Sequence, residues 1–373
     1  MTRLCSSVFL KTALATVLIS FSTSPSFADL SPYDRGCELM KAGNYNAAVQ
    51  QFDLAIDSSK TYPLVYLKRG QALLKMGSNQ LALKDFSDMI ASQPNNADAY
   101  GWRGTVYAKM GQRSLALADF EKSVLIDPHY AHGYNMAGDV YKDMGANDRA
   151  IDSYSKALEV DPKNVNALLK RASALVATGK AGQAVADLTA AIEIDPKDPL
   201  AYINRGNAYS GLTKPQDALN DFNKALELDP KNQTALKLRG QAFFKLKNAD
   251  QSVRDYSAAI NLDDDNADLY YHRAKAYEQL GSDGAALEDV NHAISINPNQ
   301  ANSYLMRAFL EQKQGQAVLA HEDIVRAQFA DPLLPKDIQF MPGTKFANRY
   351  INDTDLVDVH STGATDTSEK QQF

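Results

Sequence analysis

From Asp29 to Leu334 the apolar, small and polar positions of this chain return to the same phase every 34 residues, nine times without a gap. A self-similar period of this length marks stacked supersecondary units, and it outranks local propensity in reading the fold. The units run 29–62, 63–96, 97–130, 131–164, 165–198, 199–232, 233–266, 267–300 and 301–334. The eighth place is small: Gly36, Gly70, Gly104, Gly138, Ala172, Gly206, Gly240, Ala274 and Ala308. So are the twentieth, which is Ala except for Ser252, and the twenty-seventh, Ala except for Met89 and Ser123. Between them sit bulky residues: Phe52, Phe86, Phe120, Tyr154, Leu188, Phe222, Tyr256, Val290 and Ile324 at one place, Tyr66, Tyr100, Tyr134, Tyr202, Tyr270 and Tyr304 at another. Large residues opposite small ones interlock. Each unit therefore predicts two short amphipathic helices, broken by a glycine such as Gly77, Gly111 or Gly179 and closed by a proline such as Pro94, Pro162 or Pro230.

This order of small, aromatic, Ala, aromatic, Ala and Pro resembles the tetratricopeptide repeat (TPR) family over 306 of the 373 residues. The departures are local: Lys60 and Asp264 replace the closing proline, Glu311 stands where other units are aromatic or aliphatic, and Pro32 opens the first unit. The resemblance implies an all-α, right-handed superhelical solenoid of nine helix-turn-helix units, with first helices lining a concave groove and second helices facing outward. Residues 335–351, with Ile338, Phe340, Met341, Phe346, Tyr350 and Ile351, are expected to cap the open end, and 352–373 to form a disordered tail.

Ahead of the repeats lie Arg3 and Lys11, an apolar run from Thr12 to Phe21, and Ser26-Phe27-Ala28, the pattern of a secretory leader cleaved after Ala28. The run is too short for a membrane span, so no transmembrane segment is expected. Residues 1–28 read as a signal peptide, which makes the chain exported, periplasmic in a Gram-negative cell and secreted otherwise. Their loss removes two positive charges and no negative ones, moving the formal charge from -6 to -8. An acidic chain lacks the electrostatic footprint of a nucleic-acid binder, and none is expected as partner. Cys5 and Cys37 are too few for a disulfide framework or a thiolate zinc site, and export leaves Cys37 alone.

Arg at the seventh place and Asp at the twenty-third travel together: seven units hold both, and the fourth, with Ala137 and Ser153, holds neither. Joint loss points to a salt bridge inside each hairpin rather than an arginine ladder gripping a ligand. Twelve of the eighteen tyrosines fall on core places, which leaves little for a carbohydrate platform. His129 and His132 lack a third metal ligand nearby, and Asp263-Asp264-Asp265-Asn266 lacks the glycine and distal glutamate of a calcium loop, so helix capping by Asn266 is expected instead. No nucleotide loop, nucleophile triad or His-Glu-x-x-His motif appears, and neither cofactor, metal nor catalysis is expected.

In the family, six places of each unit line the groove. Here they hold ten lysines (Lys41, Lys68, Lys75, Lys109, Lys142, Lys170, Lys237, Lys245, Lys275, Lys313) against six acids, a formal +4 on an acidic chain. The carboxylate clamp and asparagine ladder of some family members are both missing, since Ile203 stands where the clamp's lysine would be and only Asn204 occupies the ladder place. The candidate partner-binding residues are Asn135, Asp139, Leu169, Lys170, Ser173, Val176, Ile203, Asn204, Asn207, Lys237, Gln241, Tyr271 and Lys275. A basic groove with apolar stretches favours a protein or peptide partner, acidic in part, on a non-catalytic scaffold. A binding module for an envelope polysaccharide or small ligand is the second reading, an enzyme the third.

Overall fold

The computed structural model of the chain describes residues 30–58, 63–336 and 338. Its described residues form eighteen α-helices and no strand. They pair in chain order as α1 (Pro32–Lys41) with α2 (Tyr45–Ser58), α3 (Pro63–Lys75) with α4 (Asn79–Ser92), α5 (Ala97–Lys109) with α6 (Arg113–Ile126), α7 (Ala131–Asp143) with α8 (Asn147–Val160), and α9 (Val165–Ala177) with α10 (Ala181–Ile194). The series continues with α11 (Pro199–Gly211) and α12 (Pro215–Leu228), α13 (Gln233–Lys245) and α14 (Ala249–Ile260), α15 (Ala267–Gln279) and α16 (Asp283–Ile296), α17 (Ala301–Lys313) and α18 (Ala317–Ala330). The leader 1–28, the tail 352–373 and all of the expected cap except Pro335, Lys336 and Ile338 lie outside the described residues.

Local chemistry sets the helix ends. Asn96, Asn164 and Asn232 each accept from the backbone N–H three residues on, and Asp198 and Asn266 from the one two residues on, satisfying donors that a helix start leaves open. Within hairpins the turn needs a left-handed residue, supplied by glycine at φ between 73° and 77° in seven hairpins, Gly43 to Gly315. In the sixth and seventh hairpins Thr213 (φ 55°) and Lys247 (φ 62°) take this conformation instead, at a steric cost that glycine avoids.

Two compact units result, one ending at Asn95 and one beginning at Asn96. The first holds two hairpins around Phe52, Ala48, Ala55, Val65 and Ala72. In the second, seven hairpins stack: each second helix packs on its own first helix and on the next one, and neighbouring first helices also touch. Ile338 is buried against Leu305 and Ala327 of the last hairpin.

One size rule runs through all nine hairpins. A Cβ on Gly206 would stand 2.6 Å from the ring of Phe222, and one on Gly104 2.7 Å from Phe120, distances no real contact tolerates. Gly36, Gly70 and Gly138 face Phe52, Phe86 and Tyr154 in the same way, and Gly240 leaves a tight 3.2 Å to Tyr256. Where the eighth place is Ala172, Ala274 or Ala308, the residue sixteen further on is the smaller Leu188, Val290 or Ile324. The methyl gained on one helix is offset by the ring lost from the other, which keeps the interior close-packed.

Candidate functional site

The arginines belong to the scaffold. Arg205 donates from Nε to Asp221 Oδ2 (2.9 Å) and from Nη2 to Oδ1 (2.8 Å), and the same two-pronged bond joins Arg69 to Asp85, Arg103 to Asp119, Arg171 to Asp187, Arg239 to Asp255, Arg273 to Asp289 and Arg307 to Asp323. The third nitrogen reaches back into the preceding hairpin: Arg205 Nη1 to Thr189 Oγ1, Arg239 Nη1 to Asn223 Oδ1, Arg273 Nη1 to Ser257 Oγ. Arg69, Arg171, Arg205, Arg239, Arg273 and Arg307 thus each tie their own hairpin together and fasten it to the preceding one. Hydrogen bonding to Asp221 leads the causes that raise the Arg205 pKa, so the cation is permanent. The rings one turn earlier complete the set, with Arg205 5.9 Å from the Tyr202 centroid and Arg273 5.5 Å from Tyr270. In the fourth unit, which has no such arginine, Lys156 Nζ takes the place over Tyr134 at 5.9 Å.

With the arginines accounted for, the first helices α7, α9, α11, α13 and α15 carry the candidate residues. On α7 and α9 these close on one another. Asp139 accepts from Tyr154 Oη (2.7 Å) and from Lys170 Nζ (2.6 Å), and Ser173 accepts from Lys142 Nζ (3.0 Å). Burial pushes the Lys142 ammonium pKa below its ordinary range and the Tyr154 phenol above its own. Lys170, expected to attract an acidic guest at long range, is instead engaged by Asp139. Asn135 is half-buried, with an Oδ1 that finds no hydrogen-bond partner among the described residues. Leu169 and Val176 are half-buried against the cores of their own hairpins. His132 is held in an aromatic stack, its ring 4.9 Å from Trp102, and burial lowers its pKa. No group of three or more His, Cys, Asp or Glu that could hold a metal ion occurs among the described residues.

Two candidates are corrected. Ile203, 3 % exposed, and Tyr271, 2 % exposed, are core residues in one cluster with Leu236, Met306 and Leu310 rather than anchors open to a partner. Their places lie where successive first helices touch, and an apolar side chain there folds beneath the neighbouring helix.

The remaining candidates lie on α11, α13 and α15. Asn204, Asn207, Lys237, Gln241 and Lys275 are all partly exposed. Lys275 Nζ lies over the rings of Phe244 (5.4 Å) and Tyr271 (5.6 Å). Burial, with smaller contributions from Lys275 and Lys237, presses the His272 pKa down to about 3, so His272 is neutral. Asn207 and Gln241, at the same place of consecutive units, line a cavity of about 220 Å³ between α11 and α13, walled by Ser210, Thr213, Pro215 and Leu238. The sequence singled out the two amides but not the cavity; its signal was the loss of the turn glycine at Thr213 together with a proline, Pro215, that no other unit has at that place.

The fold and site define an α-helical repeat protein whose first-helix face carries amides, lysines and a cavity. Family models described as TPR repeat match residues 138–179, 172–212 and 240–281, and models described as tetratricopeptide repeat match 67–131, 199–232 and 267–300, together more than half of the chain. The chain belongs to the tetratricopeptide repeat family. No curated protein matches it significantly. Among solved structures it is similar to the APC/C hetero-tetramer Cut9-Hcn1 (19% identity, 76% of this chain and 52% of that one, TM-score 0.52). It is also similar to the C-terminal part of a TPR repeat-containing protein from Cytophaga hutchinsonii (18% identity, 64% and 98%, TM-score 0.51). YrrB, a TPR protein with an unusual peptide-binding site, aligns at 23% identity over 48% of this chain and 92% of that one, TM-score 0.43. The likenesses to Cut9-Hcn1 and to the Cytophaga hutchinsonii protein show the fold.

Proposed function

We propose that this chain is a non-catalytic interaction scaffold that binds an extended peptide segment, or an extended stretch of a protein surface, along the first helices α7 to α15, and that it does so beyond the cytoplasmic membrane. The observation that carries the reading is the internal pairing of the arginines. With those charges bound to Asp187, Asp221, Asp255 and Asp289, the first-helix face presents Asn207, Gln241 and Lys275 at one place of three successive units along a continuous layer of helices. Such a face suits a chain with repeating backbone groups. Lys237 and Lys275 favour carboxylates in that chain, and the leader pattern of residues 3–28 supports export. Among the described residues no helix is long and apolar enough to cross a membrane.

The test is selection of a displayed random peptide library on the secreted form, residues 29–373, followed by titration of the enriched peptides. The reading expects enriched sequences with acidic and apolar residues, held more weakly as salt rises. Failure to enrich any sequence over an unrelated helical control, with envelope oligosaccharides retained instead, would replace it by the polysaccharide-binding reading.

A further inference from the structure

The inference drawn here rests on the peptide reading above and narrows it to one anchoring point. We infer that the cavity between α11 and α13 is a specificity pocket for a single leucine- to phenylalanine-sized side chain of the bound peptide, whose flanking peptide units are held by the carboxamides of Asn207 and Gln241.

Size comes first. At about 220 Å³ the cavity is smaller than the roughly 300–1,000 Å³ typical of sites for whole small molecules. An apolar cavity of about 150 Å³ is known to admit a benzene-sized group, so this one has room for one large side chain. The lining agrees: Leu238, Ala242 and Pro215 supply apolar walls, Asn207 and Gln241 bring two carboxamides to the same cavity from neighbouring helices, and Lys245 adds a cationic side chain that suits an acidic residue next to the anchored one. A carboxamide offers a donor and an acceptor together, which is what a peptide unit beside an anchored side chain presents.

The second, independent observation is backbone strain at the mouth. Thr213 lines the cavity and holds φ 55° at a turn position where seven of the nine hairpins have glycine. Left-handed conformation costs a non-glycine residue about 1–2 kcal/mol. Two residues on, Pro215 fixes the start of α12 and forms another wall. Two departures from the repeat therefore fall in one turn, and both put side chains on the same cavity. Strain retained at a concave site is a mark of a shaped binding surface.

The probe is N-acetyl-leucine N-methylamide, one side chain with a peptide unit on each side, titrated into the methyl-labelled secreted form and followed by NMR. A saturable shift of the Leu238 methyls is expected at millimolar probe, and none with N-acetylglycine N-methylamide. Ser210→Leu, on a half-buried wall position, fills the cavity and abolishes the shift. Asn207→Ala and Gln241→Ala leave the cavity open and weaken the probe about three- to tenfold each, the size of one lost hydrogen bond. Unchanged methyl spectra outside α11–α13 establish that the variants fold. An absent Leu238 response, an equal response to the glycine probe, or an undiminished one in Ser210→Leu overturns the pocket. If library peptides still bind in that case, the scaffold reading stands without it; if the probe binds and no peptide does, the pocket survives the wider reading.

Discussion

Arg205 grips Asp221 with two parallel hydrogen bonds of 2.9 and 2.8 Å, and the Asp221 side chain is only 7% exposed while that of Arg205 is 19% exposed. This is deeper than a surface ion pair, so the small values typical of exposed pairs do not apply. Replacing Arg205 by Ala leaves a buried carboxylate without its partner and is expected to cost about 3–5 kcal/mol in urea unfolding. Arg205→Lys recovers little, because an ammonium cannot span Asp221 and Thr189 at once. Arg205→Ala with Asp221→Ala should cost less than the sum of the single changes. Strict additivity would show that the pair contributes nothing as a pair.

The size rule between hairpin helices has its own test. Gly206→Ala drives a methyl into the Phe222 ring and is expected to cost about 1–3 kcal/mol. Adding Phe222→Leu reproduces the Ala172–Leu188 pairing that the fifth hairpin uses, and should restore part of that loss. If the double variant is no more stable than Gly206→Ala alone, the complementarity is not what links the two places.

Thr213→Gly and Lys247→Gly should each stabilise the chain by about 1 kcal/mol through relief of left-handed strain. The two turns lie in different hairpins and the gains should add. Thr213→Gly should at the same time weaken peptide binding, since its side chain walls the cavity, whereas Lys247→Gly should leave affinity unchanged. Urea midpoints and peptide titration on the same preparations read both.

The pH response of His272 has a defined sign. Burial, then Lys275 and Lys237, hold its pKa near 3 in the folded chain, against about 6.5 when unfolded. Between these values the unfolded chain binds a proton that the folded chain refuses. The contribution is therefore complete above about pH 6.5 and is lost as pH falls toward 3, with a slope of at most about 1.4 kcal/mol per pH unit. His272→Phe, stacked on Tyr256 as the imidazole is, should lose less stability between about pH 7 and pH 4.5 than wild type does. Equal losses would mean that His272 titrates normally in the fold.

The helical array and the arginine pairs were legible in the sequence because a 34-residue period repeats the same physical problem nine times. Ala137 with Ser153 exposed the Arg–Asp link by losing both ends at once. The Gly206–Phe222 rule was equally present, sixteen residues apart, but shows only when each small residue is read against its own partner. Ile203 and Tyr271 were misplaced because a groove position read from the repeat says nothing of how far the next first helix covers it. Lys237, at the same place as Ile203, is partly exposed because its long stem carries the charge past the contact. Lys170 looked like a cation available to a partner until its neighbour in space, Asp139 of the preceding unit, was known. The cavity depends on Thr213 and Pro215 breaking the pattern, a signal visible in the sequence but without volume.

The central claim is that the first-helix layer, and not the second helices, receives the partner. The direct measurement is amide hydrogen exchange of the secreted form with and without a saturating selected peptide, resolved along the chain. The account predicts added protection concentrated in α7, α9, α11, α13 and α15, strongest around Asn207 and Gln241, with α8, α10, α12, α14 and α16 nearly unchanged. Protection concentrated on the second helices, or confined to residues 339–373, would contradict it.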